Sequence, residues 1–321
     1  MFYTFNHGST ELVYVDLSDA TLTDVRGGLQ GGGKLTEVIF NNTKITSTDL
    51  NKTFANKSIE TWDLSGITFV NGLTSLDSVF NGCSKLKKII GLDKWDTSRV
   101  QSFSAIFANC TLLEDFSFFK NWDLSSLTNA NSMFAKCTSL KYPPLTTFGN
   151  PKKPTTTVGH SQMYEQTTFP VDNSIQWKVV GACNMYRVFV QNNYVSQFNV
   201  VWETDEVVNV PGLFCEGRGK TTSLKTFNLT SCGQTLFTSY FFGGIGSQVN
   251  ANLTNFECCG IQKYNLNLSL YPNLSKQSLL NVINCLCTTT NTLTLTLGST
   301  NMAKLTEAEI AIATAKGWTV A

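Results

Sequence analysis

The chain has 321 residues, a net charge of +1 at pH 7 and an apolar content of 42%, while charged residues make up only 15%. The apolar fraction is enough for a continuous core, but the basic excess or basic stripe typical of nucleic-acid-binding proteins is absent. No run approaches 18 continuous apolar residues, and the first residues lack a basic segment followed by an apolar one. We therefore expect no nucleic-acid partner, no membrane insertion and no secretory signal.

The first predicted elements are a strand at residues 12–17 and a degenerate repeat unit at residues 35–57. Lys57 stands in this unit where the later units have a cysteine. The pattern predicts that the repeat begins close to the start of the chain.

Three regular units follow. Their cysteines are separated by 27 and 27 residues (110 − 83 and 137 − 110), and each is followed three residues later by a leucine. These positions are Cys83, Cys110 and Cys137, with Leu86, Leu113 and Leu140. A fixed period of 20–50 residues is typical of a stacked array. We expect the three leucines to stack in the core and the three cysteines to be buried and reduced.

A Trp-Asp pair precedes each of these cysteines, at Trp62, Trp95 and Trp122. The last two lie 15 residues before their cysteine and the first lies 21 before it, which we interpret as an insertion of about six residues in the first unit. The tryptophans could form a carbohydrate-stacking ladder, but we favour packing at a corner where the Asp begins a helix.

Each unit is predicted to contain a short helix and a strand. In the unit at 95–118, apolar residues at 100, 103, 107 and 110 follow a helical spacing, and residues 113–118 have the strand pattern of leucine-rich repeats. The predicted fold is an α/β solenoid, leucine-rich-repeat-like, with a parallel sheet on one face, short helices on the other and a C-terminal helix-strand cap.

The sequence predicts that the chain is divided into four segments. They are the regular repeats at 1–147, a Pro/Gly-rich loop or break at 148–160, a degenerate continuation at 161–298 and a cap at 299–321. The continuation is predicted to hold strands at 224–229, 253–258 and 293–297 and a helix at about 275–287. In the cap, Thr306 and Glu309 predict a capping box and Gly317 predicts the end of a helix.

The sequence offers no obvious catalytic or metal-binding set. It has two histidines, His7 and His160, which we interpret as polar loop or terminal residues. The closest cysteines, Cys258-Cys259 and Cys285 with Cys287, lack the spacing typical of zinc sites. We therefore expect no enzyme activity, no cofactor and no metal.

The phrase at residues 95–113, with Trp-Asp-Thr-Ser and Ile-Phe-Ala-Asn-Cys, resembles the BspA-like leucine-rich repeats of bacterial surface proteins. The resemblance is good over residues 58–147 and loose elsewhere. The ending at 293–318 looks like the C-terminal segment of repeat proteins from gut Bacteroides-type bacteria and their phages, crAss-like phages among them. The resemblance implies binding to surfaces and supplies no catalytic residues.

Two functions remain open at this point. The first is a phage virion component: a tail or head fibre, or a decoration protein, made in the host cytoplasm and acting in host attachment. Its partners would be other virion proteins or a host-surface protein or glycan, and it could form a homo-oligomer. The alternative is a bacterial cell-surface adhesin, a class that should carry a signal sequence or a sorting tail.

Residues between the core leucines are predicted to project from the open sheet face and to bind the partner. They are Lys88, Asp115, Ser117, Tyr142, Thr226, Asn228, Asn255 and Glu257. The irregular loops of 148–180 are a second candidate surface. An aromatic anchor within a polar rim is typical of binding surfaces, which makes Tyr142 the first residue to change.

Overall fold

The computed structural model describes residues 12–29, 34–170, 174–192, 197–204, 206, 208–209, 226–230, 253–258 and 265–321. The chain forms two compact units, Met1–Pro144 with Gly159–Phe169, and Leu145–Val158 with Pro170–Ala321.

Within residues 12–29 and 34–144, the first unit has seven short strands in three small parallel sheets. The strands are β1 (Tyr14–Asp16), β2 (Thr21–Leu22), β3 (Glu37–Ile39), β4 (Thr43–Ile45), β5 (Thr61–Asp63), β6 (Ile67–Phe69) and β7 (Lys88–Ile90). β1 pairs with β3, β5 pairs with β7, and β2, β4 and β6 form the third sheet. Single-residue parallel bridges continue the stack on another side and join, in order, Asp49, Ser75, Ser102, Asn129 and Gly159.

Aspartates turn the chain at the corners of these coils. Asp63 accepts hydrogen bonds from the backbone N–H and the hydroxyl of Ser65, at 3.0 and 2.6 Å, and Asp96 does the same with Ser98. Such bonds to the residue two positions later replace a backbone turn. The Asp of each Trp-Asp pair therefore closes a tight turn, and the prediction that it begins a helix is wrong.

The segments predicted as short helices form consecutive tight turns instead. Between Leu76 and Cys83, Ser78 and Gly82 have φ angles of 57° and 78°, and residues four apart repeat this left-handed geometry in the following coils at 105 and 109 and at 132 and 136. A right-handed helix cannot continue through such residues. The apolar spacing that predicted a helix arises because every turn places a side chain into the core.

These turns share their hydrogen bonds with the neighbouring coil. The N–H groups of residues 76, 78, 80 and 82 donate to the carbonyls of residues 102, 104, 106 and 108 at 2.8–2.9 Å, and residues 103–109 repeat this toward 129–135. The N–H groups of residues 79, 81 and 83 donate within their own coil, to the carbonyl three residues earlier. We call this arrangement the turn ladder. It joins each coil to the next through the backbone.

The register of β5 with β7 shows that the Trp-Asp pairs at Trp62 and Trp95 are not equivalent positions of the repeat. Trp62 lies opposite Ile89, and both residues precede the cysteine of their coil by 21 positions. Trp95 comes after β7 and packs edge-on against Phe69 of β6, with ring centroids 5.0 Å apart. The two Trp-Asp phrases thus occupy different places in the coil, and the predicted six-residue insertion is not needed.

The predicted strand at 113–118 is also wrong. The structure has a 3-10 helix at Ser117–Asn121, as it does at Leu92–Lys94 in the preceding coil. Three phenylalanines at 116, 118 and 119 are buried there. An alternating strand would have turned successive side chains to opposite faces, whereas this compact turn directs adjacent rings inward.

Stacked aromatic rings form the centre of the first unit. Phe54, Phe80, Phe107, Phe134 and Tyr164 occupy the same position in successive coils, with neighbouring centroids 5.4–6.0 Å apart. Each pair contributes about 0.5–1.5 kcal/mol beyond the burial of its area. Leu86, Leu113 and Leu140 are buried in their coils as predicted.

The second unit is built on a five-stranded parallel sheet. Its strands, in spatial order, are β15 (Asn255–Cys258), β14 (Thr226–Thr230), β12 (Gln197–Trp202), β10 (Gln176–Val179) and β8 (Thr147–Phe148). Two further strands, β11 (Cys183–Asn184) and β13 (Val208–Asn209), pair with each other, and β9 (Val158–Gly159) falls on the chain boundary between the units. The predicted strands around 226 and 255 are confirmed, with Phe227 opposite Phe256.

The last part of the second unit contains helices. The remaining elements are β16 (Leu266–Asn267), α1 (Lys276–Cys285), β17 (Leu293–Thr296), α2 (Gly298–Met302), α3 (Glu307–Ala315) and β18 (Trp318–Val320). β17 lies between β16 and β18 in a parallel sheet. The predicted capping box is confirmed, since Thr306 accepts from the Glu309 N–H and the Glu309 carboxylate accepts from the Thr306 N–H. Gly317 ends the turn after α3 with a φ of 87°.

A serine side chain of helix α1 forms the backbone hydrogen bonds with β15 that a neighbouring strand would otherwise form. The Ser278 hydroxyl accepts from the Phe256 N–H at 2.7 Å and donates to the Phe256 carbonyl at 2.8 Å. Across the described residues, the architecture is therefore one of small parallel sheets with few helices. The division of the chain at residues 147, 160 and 298 stays a prediction.

Candidate functional site

Four of the predicted binding residues lie in the first unit, and all four are exposed. Lys88 is in β7, Ser117 begins a 3-10 helix, and Asp115 accepts the N–H of Ser117 at 2.8 Å. Tyr142 is 74% exposed, the largest value among the exposed large apolar side chains of the described residues. The structure thus brings a cation, an acid, a hydroxyl and an aromatic ring to the surface of neighbouring coils.

Sequence reasoning missed a second row of charges beside this one. Glu60, Lys87, Glu114 and Lys141 are exposed and follow one another at intervals of 27 residues. Lys87 Nζ lies 2.8 Å from Glu60 Oε2, and Lys141 Nζ lies 2.5 Å from Glu114 Oε2. The common spacing was a signal that would have identified the row.

The charges on this row act on one another. The hydrogen bond from Lys87 is the main cause that lowers the pKa of the Glu60 carboxyl, and the bond to Glu114 raises the pKa of the Lys141 ammonium. Both shifts favour the charged forms of Glu60 and Lys141. Because the four groups are exposed, their pairing contributes little to stability, and their charge is available to a partner.

Buried residues and threonine hydroxyls hold this face in register. The Thr111 hydroxyl donates to the Ser84 carbonyl at 3.0 Å, and the Thr138 hydroxyl donates to the Thr111 carbonyl at 3.2 Å. Each of the two donor threonines precedes the charged residue of its coil by three positions. The buried leucine between the threonine and the charged residue fixes the backbone there. We call the exposed residues on this surface the striped face: Glu60, Lys87, Lys88, Glu114, Asp115, Lys141 and Tyr142.

The repeat cysteines are structural thiols. Cys83, Cys110 and Cys137 are buried and free, as predicted, and each thiol donates to a carbonyl in the coil below at 3.1 Å: Phe54, Phe80 and Phe107. Burial raises the pKa of Cys83 to about 11 and of Cys137 to about 12. A thiol is a poor nucleophile when its thiolate is disfavoured, so these residues are unsuited to catalysis.

Lys57 and His160 are also in the core. Lys57 is 2% exposed at the cysteine position of its coil, and burial lowers its pKa. His160 lies outside helix and strand, as the loop prediction has it, but its side chain is fully buried at the position held by Ala130 one coil earlier. Burial lowers the pKa of His160 to about 3, so the ring is neutral near pH 7.

The tryptophans of the Trp-Asp pairs pack in the interior. Trp62, Trp95 and Trp122 are buried, and the Trp122 indole N–H donates to the Leu92 carbonyl at 3.0 Å. The packing interpretation is confirmed, and the rings present no stacking surface for a sugar.

The other four predicted binding residues lie in the second unit. Thr226 pairs in register with Asn255 and Asn228 with Glu257, so the predicted neighbours are brought together along β14 and β15. Asn255 is half-buried, while the side chains of Thr226, Asn228 and Glu257 lie outside the described residues. On the same sheet, Lys178 of β10 pairs with Glu203 at 2.9 Å. In the candidate loops of 148–180, residues 151–155 are exposed.

In the described part of the chain, no group of three or more His, Cys, Asp or Glu side chains is arranged to hold a metal ion. None of the helices in the described ranges is long and apolar enough to span a membrane.

A protein-family model matches the chain over two long stretches. Residues 43–150 and 154–256, about two thirds of the chain, match the family described as "Mycoplasma protein of unknown function, DUF285". This repeat family is associated with BspA-like surface repeat proteins. No curated protein matches the chain.

Proposed function

The chain belongs to the DUF285 family, and from this premise we propose that it is a non-enzymatic repeat protein that binds a partner at a biological surface. The single observation that carries the proposal is the striped face, where Tyr142 stands 74% exposed next to the Lys141–Glu114 ion pair. Binding surfaces commonly combine an aromatic anchor with a polar rim. The partner in this proposal is a surface protein or glycan.

We infer that the coils within each unit form a leucine-rich-repeat-like solenoid. The regular 27-residue spacing of the first unit and the 29-residue register between β14 and β15 support it. A continuous stack would display side chains at fixed intervals over a long surface, as recognition by repeat proteins requires.

The proposed location is a phage virion, in a tail or head fibre or a decoration protein. The second candidate is a bacterial cell-surface adhesin, which the association of the matched family with surface repeat proteins favours. Mass spectrometry of purified phage particles and of washed bacterial envelopes distinguishes these two locations, since the chain should be found in only one of the fractions.

A binding measurement tests the function itself. Purified, fluorescently labelled chain should bind to host cells or to particles, and Tyr142→Ala should weaken that binding about fivefold or more, because removing a central aromatic anchor typically costs more than about 1 kcal/mol. Val70→Ala is the matched control, since Val70 is an apolar side chain of the same unit, 58% exposed and outside the striped face.

Two outcomes would contradict the proposal. Equal binding by Tyr142→Ala, Val70→Ala and the unaltered chain would show that the striped face is not the binding site. Hydrolysis of a surface glycan by the purified chain would show that the protein is an enzyme.

A further inference from the structure

The striped face alternates in charge from coil to coil. Successive coils of the first unit present an acid at Glu60, bases at Lys87 and Lys88, acids at Glu114 and Asp115, and a base at Lys141. The order along the stack is therefore negative, positive, negative, positive. The threonine bonds from Thr111 and Thr138 keep the coils in step, so the bands are fixed relative to one another.

This order is complementary to itself under a two-fold rotation. An axis through the middle of the face, between the coils of Lys87 and Glu114, reverses the order of the bands in a second copy. Lys87 then faces Glu114 of the second copy, and Glu60 faces Lys141. Every band meets its opposite, whereas two faces stacked in the same direction and in step would bring like charges together.

We propose that the striped face binds a second copy of this chain, with the two stacks antiparallel and related by a two-fold axis. The inference goes beyond the proposed function, because the occupant of the same face is a second copy of the chain and not a surface protein or glycan. The ion pairs within each copy join adjacent coils of the same chain, and pairing across the axis extends them into a network.

Apolar contacts add to the pairing of charge. Leu112, one coil after Lys85, is 43% exposed at the edge of the face, and Tyr142 lies in the last band. In the antiparallel arrangement, each Tyr142 ring meets the coil of Thr61 in the other copy, where a short polar side chain leaves room for it. The interface therefore has an aromatic anchor at each end and charges between them.

The size of the face sets the expected strength. Four coils at the usual strand spacing of about 4.8 Å span only about 15 Å along the stack. Interfaces of this size are smaller than those of stable dimers, and exposed ion pairs are screened by salt. The self-association should therefore be weak, depend on concentration and decrease at high ionic strength.

Charge exchange between two variants provides the decisive experiment. Sedimentation velocity of the full chain at low salt should detect a monomer–dimer equilibrium. Lys87→Glu and Glu114→Lys should each weaken it about tenfold or more, because the symmetric interface contains two like-charge contacts in either variant. An equimolar mixture of the two variants should restore it. In the mixed dimer the two substituted positions face each other with opposite charges, and so do the two positions left unaltered.

The mixture also controls for effects within one chain. Each variant loses an intramolecular ion pair, and that loss persists in the mixture, so restoration reports only contacts between copies. Lys178→Glu makes the same charge change at an ion pair of the second unit and should leave the dimer unaffected. Circular dichroism melting curves should show that all three variants remain folded.

The proposal is overturned if the unaltered chain is monomeric at every concentration at low salt, or if the mixture dimerises no better than its components. Failure here is distinct from failure of the proposed function. A monomeric chain whose binding to cells or particles still depends on Tyr142 would remove the second copy as partner and retain surface recognition.

Discussion

The coils of the first unit and the segment at 265–321 both connect parallel strands. The connections are consecutive turns in the first unit and helices in the C-terminal segment. In the first unit, every second N–H of the turn ladder donates to the neighbouring coil. In the C-terminal segment, α1 and α3 form their own backbone bonds and are closed by Ser275, Thr306 and Glu309. The backbone hydrogen bonds of a coil in the first unit are therefore completed by its neighbours. Those of a C-terminal helix are formed largely within the helix.

A substitution in the core of one coil of the first unit should therefore also destabilise the neighbouring coils. Phe107→Ala should lower the free energy of unfolding by about 3–5 kcal/mol, because the ring stacks on Phe80 and Phe134 in the middle of the unit. Hydrogen exchange should accelerate in the coils on both sides as well as in the substituted coil. Denaturant unfolding measures the first effect, and Val70→Ala should change stability by less than about 0.5 kcal/mol. Faster exchange confined to residues 100–110 would show that the coils are independent.

Lys57 is a buried amine within the coils of the first unit. Within the described residues no carboxylate pairs with it, so Lys57→Met should raise the free energy of unfolding by about 1–3 kcal/mol at pH 7. Burial holds the pKa of folded Lys57 below its ordinary value of 10.5. The unfolded chain then binds more protons between the two pKa values, so the stability contribution of this residue increases as pH rises through that window.

Denaturant unfolding of both proteins from pH 7 to about pH 10.5 tests this prediction. The advantage of Lys57→Met should shrink as pH rises. A constant advantage would mean that the gain comes from packing of the methionine and not from removal of a buried charge.

The smallest expected effect is at α3. Thr306→Ala removes the side-chain acceptor of the capping box and should cost about 1 kcal/mol. Because this helix forms its own hydrogen bonds, faster exchange should remain within α3 and β18. Thr306→Ser keeps the acceptor and is the control. Accelerated exchange reaching the turn ladder of the first unit would abolish the distinction between the two regions.

The sequence predicted the elements whose patterns have a single physical interpretation. Strand alternation located β14, β15 and β17, and the Thr306 and Glu309 pair located the start of α3. The turn ladder was missed because apolar residues at 100, 103, 107 and 110 fit both a helix and consecutive turns. Asn109 and Gly82 are residue types that favour left-handed backbone, but Ala105 and Ser132 are not, so residue type alone did not reveal the geometry.

Irregular repeat spacing explains why the coil that contains His160 was not predicted. The coil that contains His160 follows its predecessor by 30 residues at the equivalent position, Ala130, and it carries Tyr164 in place of phenylalanine. Alignment of Met133-Phe134 with Met163-Tyr164 would have identified it. For the candidate site, the exposure of Lys88, Asp115, Ser117 and Tyr142 agrees with their predicted projection, and their role in binding stays a prediction.

The turn ladder also has a consequence for how such chains vary. Each coil receives the same set of backbone bonds on one side and gives the same set on the other, with left-handed residues at the same two places. Removal or duplication of one 27-residue stretch, such as 84–110, would present the same donors and acceptors to the coils that then become neighbours. Genes of this type can therefore lengthen or shorten by one coil through recombination between repeats, and the reach of the protein changes in steps of a single strand spacing.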